Sequence, residues 1–230
     1  MNQINMKKVL LLVFVSSFFY SQAQIAGRIY NMDVKPGHAP SVLNLFNDFA
    51  GGQEWNQGSG VMLQSVQFKN GVTHRVVAWG NPENWGTKQN RTEAEWTAYL
   101  EQMNNHRKAA NDSSIITSFG FSEGDTQMYQ TAKIFELKVY DPAKYKPAFD
   151  ALVKGIKPIL GQRRMGLVQI DAGGVPGATH SVVVYGKDIN DLVLLERKIR
   201  SSKEFETYLK NRGQVEYMQR YFINVLSRFN

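Results

Sequence analysis

Two Thr–His pairs, Thr73–His74 and Thr179–His180, are the first residues in this chain whose type and spacing could do chemistry. An imidazole titrates near neutral pH and ligates metals. Two of them converging on one space could hold a metal, a haem or an anionic ligand. Each pair opens a run of alternating character. Thr73, Arg75, Val77 and Trp79 share one face, with His74, Val76 and Ala78 on the other. Thr179, Ser181, Val183 and Tyr185 stand against His180, Val182 and Val184 in the same way. The competing reading is structural: each histidine begins a strand and bonds its loop. This second reading is the stronger. His38 and His106 lie far from the pairs in sequence, and no H-x-H or H-E-x-x-H spacing occurs. No metal site is expected.

Other polar positions carry a conditional signal. Asn31 and Asp33, and Glu136 and Lys138, alternate with apolar neighbours. In a closed barrel they point inward, where a lone carboxylate is costly unless paired or used. Trp55 and Trp85 fall in stretches rich in Gly and Asn, as residues at a pocket mouth or a barrel end do. The ligand-binding candidates are therefore His74, His180, Asp33, Trp79 and Tyr185. The glycine-rich stretch 173–177 joins two strands instead of opening a helix, so it does not read as a phosphate cradle. The chain has no cysteine, which excludes disulfides, thiolate metal sites and a Cys nucleophile. It contains no G-x-S-x-G and no paired-carboxylate signature.

The Thr–His pairs belong to a longer self-match. NGVTHRVVAWG at 70–80 lies over PGATHSVVVYG at 176–186, an offset of 106. Downstream, Glu95, Tyr99 and Leu100 match Glu204, Tyr208 and Leu209 at an offset of 109, and upstream Tyr30, Met32 and Val34 match Phe135, Leu137 and Val139 at 105. Three matches in the same order indicate a duplicated unit of about 105 residues, the size of a domain.

Each unit reads as β-α-β-β-α-β. In the first, a strand at 29–34, a helix at 41–50, a hairpin of 60–68 with 73–79, a helix at 92–107 and a strand at 115–121 follow one another. The second repeats this with a helix at 143–154, a hairpin of 166–170 with 179–185, a helix at 188–211 broken near Arg200, and a strand at 223–229. Thr92 with Glu95, and Ser201 with Glu204, fit capping boxes. The expected class is α+β: two tandem ferredoxin-like units, in residues 24–128 and 129–230. This order, duplicated, resembles the dimeric α/β-barrel superfamily, in which two such units face their sheets around a central space. The resemblance covers nearly the whole chain after residue 23 and rests on element order and duplication. It implies a small-molecule site between the repeats. It also implies two alternatives to a ligand binder: a cofactor-independent monooxygenase, or a structural and interaction module with a filled interior. Relatives of this kind that bind haem use an axial histidine, which makes haem a possible cofactor, although nothing in this chain singles out one histidine.

The remaining signals concern address and partners. Residues 1–23 read as a cleavable signal peptide: Lys7 and Lys8, an apolar run from Val9 to Tyr20, then Ser21 and Ala23 at the positions a signal peptidase inspects. The run is far short of the ~20 residues that span a bilayer. The expectation is a secreted or periplasmic protein without a membrane anchor once the leader is removed. With 27 basic and 20 acidic residues the chain carries +7, which falls to 7 − 2 = +5 without the leader. The cations are scattered instead of forming a stripe with aromatic platforms, which argues against nucleic-acid binding. A covalent pseudo-dimer can be complete as a monomer.

Overall fold

A computed structural model describes residues 25–89 and 91–230. The segment read as a signal peptide lies outside the described residues. The first repeat runs β1 (Ala26–Val34), α1 (Ala39–Ala50), β2 (Gly60–Gln67), β3 (His74–Gly80), α2 (Glu93–His106) and β4 (Arg107–Phe121). The second runs β5 (Thr131–Val139), α3 (Pro142–Gly155), the single turn α4 (Lys157–Leu160), β6 (Met165–Gly173), β7 (His180–Gly186), α5 (Ile189–Arg200), α6 (Lys203–Asn211) and β8 (Val215–Phe229).

All eight strands form one closed antiparallel barrel in the order β1-β3-β2-β8-β5-β7-β6-β4. Within each repeat the order is that of a ferredoxin-like unit, and β2 joins β8 as β4 joins β6 across the two seams. Registers repeat between halves. Asn31 lies opposite Arg75 and Met32 opposite His74 in the first, while Glu136 lies opposite Ser181 and Leu137 opposite His180 in the second. The fold is therefore a pseudo-dimeric α/β barrel.

Alternation sets the layers. Met32, Val34 and Leu63 turn outward onto Val42, Phe46 and Met103 of the first helix pair. Leu137, Val139, Val182 and Val184 turn outward onto Tyr145, Phe149, Leu152 and Leu192 in the second half. A third cluster packs inside, with Val66, Ala132, Ile134, Val183, Tyr185, Tyr221 and Ile223.

The helices begin where their caps dictate. Thr92 and Glu95 form a reciprocal capping box at α2. The break near Arg200 is present, but Ser202 rather than Ser201 is the cap of α6, its hydroxyl accepting from the Phe205 amide at 3.2 Å. The last strand of each repeat is longer than the sequence suggests, at 15 residues each. The polar run 107–114 offers no apolar alternation, yet its backbone pairs with β1 and with β6. No helix among the described residues is long and apolar enough to cross a membrane.

Candidate functional site

The two Thr–His pairs sit outside the barrel interior. His74 and His180 are 8% and 3% exposed and point toward the helix layers, on the face opposite Arg75 and Ser181. Their Nδ1 atoms lie 3.1 and 2.9 Å from Thr73 Oγ1 and Thr179 Oγ1. Those hydroxyls in turn accept the backbone N–H of Val34 at 2.8 Å and of Val139 at 2.9 Å. Each pair thus ties the start of a third strand to the end of a first strand, once per repeat. Burial lowers the pKa of both imidazoles, with Asp171 opposing weakly at His180. Asp33 stays at the barrel rim, where Lys108 Nζ lies 3.4 Å from its Oδ2. The other two histidines, distant in sequence, meet in space: His38 and His106 face each other at 2.8 Å between Nδ1 atoms. Two imidazoles fall short of the three or four protein ligands of a zinc site, and the described residues contain no group of three potential ligands.

The barrel encloses a cavity of about 490 Å³, within the range of small-molecule sites. Trp79 and Tyr185, the pseudo-equivalent ends of β3 and β7, both line it. Gly60 and Gly166 leave room for rings, because a Cβ on Gly60 would overlap the Trp79 ring and one on Gly166 the Phe121 ring. Arg228 lies over Trp79, 5.6 Å from the ring centroid, and Arg164 lies over Phe121 at 5.0 Å and Tyr185 at 5.9 Å. Arg228 Nε is buried without an acceptor among the described atoms. Burial lowers the pKa of Arg164; Tyr185 opposes it, and the charge of Arg228 adds a smaller lowering.

Deeper in, a polar chain crosses the β2–β8 seam. Arg75 donates through Nε to Gln64 Oε1 at 2.6 Å and through a terminal nitrogen to the Tyr221 hydroxyl at 2.9 Å. That hydroxyl donates to Glu136 Oε1 at 2.9 Å, where Lys69 Nζ also arrives at 3.5 Å. Gln64 and Tyr221 are almost completely buried. Burial holds the Tyr221 hydroxyl well above its ordinary pKa, so it remains a donor. Glu136 is the sole acidic side chain among the described lining residues, which also include the cations Lys69, Arg75, Arg164 and Arg228.

Pseudo-symmetry explains why the space lies where it does. The shared registers place Asn31 against Glu136, Gln64 against Val168, Arg75 against Ser181 and Ser114 against Tyr221. One seam carries the long polar side chains. The other carries Ser114, Ser118, Val168 and Ser181, and the cavity extends against them.

Haem does not fit these residues. No histidine lines the central cavity, and none lines the apolar space of about 70 Å³ beneath the second helix layer. The hydroxyl of Tyr221 is already engaged on both sides.

Sequence reasoning missed Gln64, Lys69, Arg164, Tyr221 and Arg228. Arg75 carried a signal as a cation on the same strand face as Val77 and Trp79, and Asn31 and Glu136 carried one as polar residues alternating with apolar neighbours.

No family model and no curated protein matches the sequence. Solved structures do match in fold. A provisionally named monooxygenase from Fusobacterium nucleatum superposes with a TM-score of 0.56 at 16% identity, covering 91% of this chain and 95% of its own. An anthrone oxidase-like protein gives 0.55 at 8% identity, with 91% and 94% covered. A heme-binding protein from Thermus thermophilus gives 0.51 at 9% identity, with 89% and 92% covered. At such identities the likeness is one of fold, and the fold this chain shares with them is that of the dimeric α/β-barrel superfamily.

Proposed function

We propose that this is an exported small-molecule binder that holds an anionic, partly aromatic ligand between its two repeats. The observation that carries the reading is the side-chain charge of the cavity: four cationic side chains and one acidic side chain line it, beside the rings of Trp79, Phe121 and Tyr185. Glu136 already receives Tyr221 and Lys69, which leaves Arg164 and Arg228 as the cations available to a ligand. A desolvated guanidinium is stable only with a counter-charge or full hydrogen bonding, and a carboxylate matches its fork. The aromatic rings beneath the arginines suit a flat apolar body.

A module with a filled interior accords poorly with 490 Å³ of internal space. An enzyme in the manner of the monooxygenase-type neighbours is the second reading, and it draws on one feature, the carboxylate oxygen Glu136 Oε2, buried without a partner in the cavity wall.

Titration calorimetry with trans-cinnamate, an aromatic carboxylate, tests the first reading. Saturable binding at one site per chain is expected, weakened at least tenfold in an Arg164→Gln/Arg228→Gln variant whose circular dichroism is unchanged. Binding of neutral cinnamamide as strongly as cinnamate refutes the role of the arginines, and absence of any saturable heat refutes the reading. The address is tested separately, by N-terminal sequencing of protein recovered from culture medium or periplasm, with a start after Ala23 expected.

A further inference from the structure

The two repeats also differ on the outside of the barrel, where the turn after the first strand meets the residue before the last strand. In the first repeat the Lys35 amide donates to the His106 carbonyl at 2.9 Å, and in the second the Tyr140 amide donates to the Gln214 carbonyl at 3.2 Å. His106 and Gln214 each stand immediately before the closing strand, so they correspond. His38 holds the N-cap position of α1, as Asp141 does before α3. Asp141 caps its helix by accepting from the Lys144 amide at 3.2 Å, whereas the His38 side chain makes no capping bond. Its imidazole turns to His106 instead, with 2.8 Å between the Nδ1 atoms and 5.1 Å between the ring centroids. The rings therefore meet through these two nitrogens. The frame does not require the pair, because the second repeat closes the same junction without it.

We infer that His38 and His106 form a site for a divalent transition metal, Cu(II) above others, separate from the ligand space in the barrel. Opposed neutral imidazoles share one proton, one Nδ1 donating and the other accepting. A metal ion takes the place of that proton and uses both lone pairs, and the proton passes to solvent. Metal–imidazole bonds are about 2.0–2.1 Å long, so two at right angles set their nitrogens about 2.9 Å apart, and two at the tetrahedral angle about 3.3 Å. The 2.8 Å observed here matches the right-angle case, that of neighbouring ligands in a tetragonal Cu(II) site. Turning the rings, without moving the backbone, brings both lone pairs onto one ion. The backbone is pinned on both sides: the His38 amide donates to the Lys35 carbonyl at 3.0 Å, and Lys35 Nζ donates to the Asn105 carbonyl at 2.9 Å. Both histidines are half-buried, so water reaches the remaining coordination positions. No third protein ligand stands beside them among the described residues. Affinity at such a site follows the general order for nitrogen ligands, with Cu(II) above Ni(II) and Zn(II).

The test titrates the full chain with Cu(II) and with Zn(II) at neutral pH, following binding by calorimetry and the copper by electron paramagnetic resonance. One Cu(II) per chain is expected, held at least tenfold more tightly than Zn(II), with hyperfine splitting from two equatorial imidazole nitrogens. The variants His38→Ser and His106→Gln install a capping residue and the residue of the second repeat, so each should fold with unchanged circular dichroism. Each should weaken Cu(II) binding at least tenfold and leave a spectrum with a single imidazole nitrogen. Because the two variants lie on different segments, either one alone carries the test. Copper bound with the same affinity and spectrum in both variants sits elsewhere, at the amino terminus for example, and overturns the inference. Zn(II) binding as tight as Cu(II), or no saturable copper binding to the wild type, overturns it as well.

Discussion

Replacing Tyr221 by Phe tests whether the polar chain across the β2–β8 seam holds the two repeats together. The substitution keeps the ring and removes one oxygen. That oxygen accepts from Arg75 and donates to Glu136, each at 2.9 Å, in a side chain about 2% exposed. A hydrogen bond to a charged group contributes about 1.5–3 kcal/mol. The two bonds are lost together, but Arg75 keeps Gln64 at 2.6 Å and Glu136 keeps Lys69 at 3.5 Å, so neither charge is stranded. A loss of about 2–4 kcal/mol results. For a chain of this length that corresponds to a melting temperature about 5–15 °C lower. Urea unfolding and calorimetry on wild type and variant measure it, with an unchanged m-value expected because the surface exposed on unfolding is the same. A loss below about 0.5 kcal/mol would mean that solvent satisfies both charges without the hydroxyl, and the chain would then not be a structural link between the halves.

Three further expectations follow from the same geometry. Thr73→Val and Thr179→Val each remove the acceptor for a strand-end amide and should cost about 1–2 kcal/mol apiece, with Ser restoring most of it; urea midpoints that fail to move would show these ties to be incidental. Gly166→Ala places a Cβ against the Phe121 ring and should destabilise by about 1–3 kcal/mol while altering the near-UV dichroism of the aromatic residues, whereas a silent Ala would mean that the ring moves freely. His74 and His180 have folded pKa values below the ordinary imidazole value, so the unfolded chain binds their protons first as pH falls. Their contribution is intact above about pH 6.5 and declines as pH drops from there through the lower folded values; His74→Gln/His180→Gln should flatten the stability profile between pH 7 and 5, and an unchanged slope contradicts the assignment.

The fold was legible in the sequence because duplication wrote it twice. The matched Thr–His pairs, the alternation after them and the Thr92–Glu95 cap are local signals that tertiary context leaves intact. The outward-facing set of each repeat packs against helices of similar shape, so its residues stay alike: Met32 and Leu137, Val34 and Val139, Val76 and Val182. The first half of β4 was not legible, because a polar run gives no period and its pairing is decided by distant strands. The site was legible only in part. Trp79 and Tyr185 could be placed by alternation, but the partners of Arg75 come from β2 and β8, as far as 146 residues away. No single-sequence pattern encodes which two strands meet at a seam. The conspicuous histidines drew attention for the same reason that makes them structural: they recur, and what recurs here is the frame.

Inside the barrel the copies have separated, and this separation creates the site. A symmetric pair of identical units would place the same residues at both seams. An arginine repeated at the Ser181 position would bring a second guanidinium inward, and a carboxylate repeated at the Asn31 position a second charge to bury, each requiring compensation in a small interior. Covalent fusion removes that constraint, since each half can change alone. Here the first half supplies Arg75 and Gln64 and the second supplies Glu136 and Tyr221, so one complete polar chain replaces two partial ones. The residues at the other seam, Ser114, Val168 and Ser181, are smaller than their counterparts, and the cavity extends against them. Frame and cavity therefore obey opposite rules along the same strands: outward positions are held alike by packing against similar helices, while inward positions such as Arg75 and Ser181, or Gln64 and Val168, differ between the halves.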